Sequence, residues 1–85
     1  MQTKLLSYNI IIKKEGNDYI AYVPTLNISD FGKSVTDAKT NVQKAIQIHI
    51  EGLIKTKTKI PSPDSQEFYI SQSEINVPIN TQFAY

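Results

Sequence analysis

The chain has 85 residues, 40% of them hydrophobic and 20% charged, with nine basic side chains against eight acidic ones. That is enough for one domain, apolar enough to fold, but of a size that buries only about 60% of its unfolded surface. A formal charge of +1 gives bulk electrostatics little with which to recruit nucleic acid or membrane, and the lack of cysteine excludes disulfides and thiolate chemistry.

Lys4 precedes the run LLSYNIII, but Ser7, Tyr8 and Asn9 interrupt it and no small-residue cleavage site follows. No stretch approaches the ~18 apolar residues of a spanning helix, so the expected compartment is the cytoplasm. Residues 7–14, SYNIIIKK, are rich in β-branched and aromatic types and read as a first strand. Glu15-Gly16-Asn17-Asp18 is a turn signal, with Gly16 and Asn17 suited to positive φ. A second strand follows at Tyr19–Val23 and is stopped by Pro24. Pro24-Thr25-Leu26-Asn27 reads as the next turn, and Ile28–Lys33 as a shorter third strand.

Ser34 to Lys55 carries the strongest pattern in the chain. Val35, Ala38, Val42, Ala45, Ile46, Ile50 and Leu53 recur at steps of three and four and share one side of a helix. Ser34 is placed to cap the first amides, and Asp37 to reach back as a short-armed capping box. Lys55, Lys57 and Lys59 lie at the negative pole, and Pro61 forbids continuation. The loop KTKTKIPSPDS follows. Residues 64–70 fit either one helical turn or an extended segment. Ser73–Ile79 alternates, with Ile75, Val77 and Ile79 on one face, and reads as a fourth strand. Pro78, lacking a donor, places it at a sheet edge or strand end.

The expected architecture is α+β, a single domain over residues 1–85 with its core in about 7–79 and a tail at 80–85. Its order is β-β-β-α-β: an antiparallel meander, one long helix on one face, and a last strand parallel to the first, in the sheet order 3-2-1-4. One helix covers one face only, yet apolar residues point both ways. Ile11, Ile20 and Tyr22, if they share the uncovered face, would be exposed in a monomer, and a symmetric homodimer or higher homo-oligomer through them is expected.

Chemistry is sparse. The lone imidazole, His49, falls within the apolar stripe without a Cys, His or carboxylate at three or four residues' distance, and reads as a mostly buried ring with one bonded nitrogen. Glu15, Asp18, Asp30, Asp37, Glu51, Asp64, Glu67 and Glu74 fall mainly in turns, caps and loops, not converging as two-metal hydrolysis requires. No nucleophile elbow or phosphate-cradling glycine loop is present. The lysine run at 55–59 reads as a solvated helix exit before it reads as a phosphate site. The expectation is a non-enzyme without metal or cofactor.

The ordered set Tyr19, Ala21, Val23, Pro24, Leu26, Gly32, Ser34, Ala38, Asn41, Ala45, Ile46, Glu51, Pro61 and Pro63 resembles the N-terminal domain of HicB-type antitoxins. The resemblance runs from about residue 8 to 79. It implies a partial ribonuclease H-like fold and a non-catalytic role in a type II toxin-antitoxin system, binding and blocking a small HicA-like ribonuclease toxin. The family often has Pro-Gly-Cys where Asn27-Ile28-Ser29 follow Leu26 here. Full antitoxins also append a DNA-binding domain, so this chain resembles either the toxin-facing half alone or a stand-alone relative, and no specific DNA binding is expected of it. The competing expectation is a stand-alone RNA-binding module, against which the near-zero net charge counts.

Overall fold

The alternation of β-branched and aromatic residues before position 33 and the 3.6-residue periodicity after it translate directly into the observed elements. The computed structural model describes residues 2–64 and 69–85. It contains β1 (Ile11–Glu15), β2 (Asp18–Val23), β3 (Ile28–Gly32) and α1 (Val35–Lys55). The strands pair antiparallel in the order β1-β2-β3, a meander, and the fold is α+β.

The β1–β2 hairpin turns on Gly16, whose φ of +61° is the positive value that two-residue hairpins require at their first central position. Asn17 does not share it. The positive φ assigned to an asparagine belongs instead to Asn27, at 54°, in the Pro24–Asn27 turn. That turn is closed by the Asn27 amide donating to the Val23 carbonyl at 2.8 Å. Leu26 turns inward within it and joins the core.

Helix α1 lies over β3 and β2 and only marginally reaches β1. Ala21 and Val23 from the sheet, Leu26 from the turn, and Ala38 and Val42 from the helix are buried together. Ile10, Ile12, Tyr19, Ile28, Ile46 and Ile50 pack around them. Val35, expected in the buried stripe, is the first helical residue and is about half exposed. The helix begins as its sequence indicates: Ser34 is extended (φ −144°, ψ 167°) and its hydroxyl accepts from the Asp37 amide at 3.0 Å. Asp37 makes no return bond, its side chain being one methylene short of the glutamate in a full capping box. The other end is closed by main-chain geometry, not by Pro61. Lys57 is left-handed (φ 56°), its amide donates to Ile54 and that of Thr58 to Leu53, which together make a Schellman motif.

Asp64 fastens the loop after the helix. One carboxylate oxygen accepts from the Asn9 amide and the other from the Thr25 hydroxyl, both at 2.8 Å, and its own amide donates to the Ser7 carbonyl at 2.8 Å. The Tyr8 hydroxyl donates to the Pro61 carbonyl at 2.7 Å. These bonds shorten β1, which starts at Ile11 and not at Ser7, because the amide and carbonyl that would begin its ladder are held by Asp64.

The fourth strand is the main correction. Ser73–Ile79 pairs with no described residue, so among the described residues no parallel strand follows the helix, and Ile75 and Ile79 are 80% and 100% exposed. Pro78 cannot donate to a ladder. The segment closes in a turn, with Thr81 donating to Pro78 at 3.0 Å. The packed core therefore draws on residues 8–50, not on 7–79. Of the ambiguous stretch 64–70, residues 65–68 lie outside the described ones, while Tyr69 and Ile70 are exposed and irregular. The radius of gyration is 17.5 Å and the longest dimension 63 Å, against a radius of about 12 Å for a compact chain of this length.

Candidate interaction surface

The pleat sends alternate side chains to opposite faces, and the register decides which residues meet. Ile11 lies opposite Tyr22 and Lys13 opposite Ile20, while Tyr22 faces Ser29 and Ile20 faces Phe31. Ala21 and Val23, which alternate with Ile20 and Tyr22, are fully buried against the helix. Ile11, Ile20 and Tyr22 thus share the face away from the helix, together. Ile11, Lys13, Glu15, Ile20, Tyr22 and Ser29 line a groove there of ≈ 390 Å³. Tyr22 is 39% exposed and Phe31, beside Ile20, is 55% exposed. Sequence reasoning missed Phe31; counting by two along the third strand and pairing it with the second would have found it.

The rim of this face is charged. Lys33 and Asp18 pair at 2.6 Å, and Lys13 and Glu15 approach to 3.9 Å. Both pairs are largely solvated and add little to stability. The Tyr22 hydroxyl donates to the Asn27 side chain at 3.1 Å, which fixes the ring at the end of the groove. The second apolar surface is the 69–85 segment. Ile70, Ile75 and Ile79 are exposed, and Phe83 packs on Tyr85 at 5.5 Å between ring centres.

His49 is half-buried on α1 and bonds to no described residue, so the expected hydrogen-bonded nitrogen is not found. Among the described residues, no three of His, Asp and Glu gather as a metal-binding group, and no helix is long and apolar enough to cross a membrane. Lys55, Lys57 and Lys59 are exposed at the helix exit.

The residues that carry the HicB-type resemblance have structural duties. Ala21, Val23, Leu26 and Ala38 are core. A Cβ on Gly32 would lie 2.5 Å from the Ala38 nitrogen, so only glycine lets the helix start this close to β3. Ser34 caps the helix, the Asn41 side chain donates to the Phe31 carbonyl at 2.8 Å, and Pro61 receives Tyr8. The motif therefore describes how the domain is held together and leaves its contact surface unmarked.

No family model and no solved structure matches the chain. Two curated proteins are similar. An uncharacterized 14.9 kDa protein from the rep-hol intergenic region of Haemophilus phage HP1 is 32% identical over 68 residues, 79% of this chain. The chain spans about half (51%) of that protein's length. The UPF0150 protein Ta0767 of Thermoplasma acidophilum is 34% identical over 67 residues, 76% of this chain and 97% of that protein. Matched along almost the whole of that relative, the chain belongs to the UPF0150 family.

Proposed function

We propose that this domain is a non-catalytic protein-binding module that captures and neutralises a small ribonuclease, as a HicB-type antitoxin does. The observation that carries the proposal is the amount of apolar surface left uncovered. On the sheet face Tyr22 and Phe31 are exposed beside the half-buried Ile20, and on the helix Ile48 and Ile54 are exposed too. Contiguous apolar surface on a small domain is costly in water and is the usual mark of a protein partner. The HicB-like motif supports the same reading, since Ala21, Val23, Leu26 and Ala38 form the core and Gly32, Ser34 and Asn41 seat the helix on the sheet. A second reading, binding of RNA through Lys55, Lys57 and Lys59, rests on their exposure at one helix end. The net charge of +1 counts against it.

The test starts from the reading frames that neighbour this one: their small basic products are purified and assayed on labelled RNA. Equimolar addition of the chain should stop cleavage, and the two proteins should co-elute. Unhindered cleavage with separate elution would sink the proposal. Direct, salt-sensitive retention of the RNA by this chain without the other protein would favour the second reading.

A further inference from the structure

We infer that Asp30 and Asn41 together close the β3 edge to strand addition, so that no extended segment lengthens the sheet on that side. The register decides which main-chain groups this edge offers. The two-residue turn at Gly16 and Asn17 makes Glu15–Asp18 a hydrogen-bonded pair, and every second pair back along the hairpin, Lys13–Ile20 and Ile11–Tyr22, is bonded likewise. Tyr19, Ala21 and Val23 are thereby left to bond β3, at Gly32, Asp30 and Ile28. The amides and carbonyls of Ser29 and Phe31 therefore point away from the sheet.

Both outward groups of Phe31 are already held by side chains. Its amide donates to the Asp30 carboxylate and its carbonyl accepts from the Asn41 side-chain amide, each at 2.8 Å. A strand arriving at this edge meets a filled donor, a filled acceptor and a carboxylate that repels its carbonyls. Ser29 is then the one outward residue of β3 still open, and a single residue is too short to start a ladder. The closure matters because of what lies beside it. Phe31 is 55% exposed next to Ile20 and Tyr22, so an open edge here would offer a newcomer apolar contact as well as hydrogen bonds, the combination that templates edge-to-edge association. Asn41 serves twice, since the same bond ties the second turn of α1 to the strand. The closure does not depend on the proposed ribonuclease partner, and it leaves the sheet face itself open to one.

The experiment uses the full chain and compares it with Asp30→Ala/Asn41→Ala. In sedimentation velocity over a concentration series, the double variant should pass into larger species at concentrations where the parent does not change, with its helical circular dichroism retained. At the dilute end, hydrogen exchange at the Phe31 amide should quicken by about tenfold or more. Adding Ser29→Pro removes the remaining outward donor without touching a ladder bond, and should restore the parent's sedimentation. Asp30→Ala alone, in which Asn41 still holds the helix, should show the same association at higher concentration. Asp64→Ala, which loosens the chain elsewhere, should form no larger species. Sedimentation of both Asp30 variants indistinguishable from the parent overturns the inference, as does unchanged exchange at Phe31. Larger species that persist with Ser29→Pro, or that Asp64→Ala forms equally, would trace the association to general loosening and overturn it as well.

Discussion

Gly32→Ala gives the sharpest test of how the helix is seated. The added Cβ would lie 2.5 Å from the Ala38 nitrogen, 2.7 Å from the Asp37 carbonyl carbon and 2.8 Å from the Asp37 Cβ. Two of these three atoms are backbone, so no rotamer change relieves the overlap, and the first turn of α1 must move off β3. Ala38 is fully buried in that turn, and its displacement opens the contact with Ala21 and Val23. Overpacking of this kind costs about 1–3 kcal/mol, and the rigid neighbours put the expected loss near 3. A domain of 85 residues holds roughly 4–13 kcal/mol in all. A loss of that size lowers the melting temperature by about 10–25 °C. Gly52→Ala is the built-in control: its Cβ would meet nothing within 4 Å, and alanine in an exposed helical position should stabilise by about 0.5–1 kcal/mol. Urea unfolding followed by circular dichroism, at one fixed protein concentration, reads both. If Gly32→Ala unfolds within about 0.5 kcal/mol of the parent while Gly52→Ala stabilises, the close seating of the helix on β3 is wrong.

Asp64→Ala removes the acceptor for the Asn9 amide and the Thr25 hydroxyl, and should cost about 2–3 kcal/mol, with faster hydrogen exchange at Asn9. An unchanged urea midpoint would show that the clip is not formed in solution. Lys57→Gly relieves a left-handed non-glycine residue at the end of α1 and should raise stability by about 1 kcal/mol in the same assay; a decrease would mean that the Lys57 side chain holds that end. His49→Gln should change stability by less than about 0.5 kcal/mol, since the ring is half-exposed and bonds to no described residue. A loss beyond 1.5 kcal/mol would restore the buried, hydrogen-bonded histidine that the helical pattern suggests.

Local signals with a local cause were legible in the sequence: the Gly16 turn, the Pro24–Asn27 turn, the Ser34 cap and the length of α1 each depend on a few neighbouring residues. The placement of Ile11, Ile20 and Tyr22 on one face was also legible, because alternation within two strands joined by a tight turn leaves only one register that buries Ala21 and Val23. Phe31 was not seen, since its place depends on pairing between strands.

What only the tertiary structure decided is where the two ends of the chain meet. Asp64 binds Ser7, Asn9 and Thr25 across at least 38 intervening positions in each case, and no periodicity carries information over such a distance. Asp64 thereby holds the Asn9 amide and the Ser7 carbonyl that would otherwise extend β1 toward Ser7. The alternation at Ser73–Ile79 reports correctly that the segment is suited to a sheet. It cannot report which sheet, because period-two patterning fixes the face a strand presents and not the edge it joins.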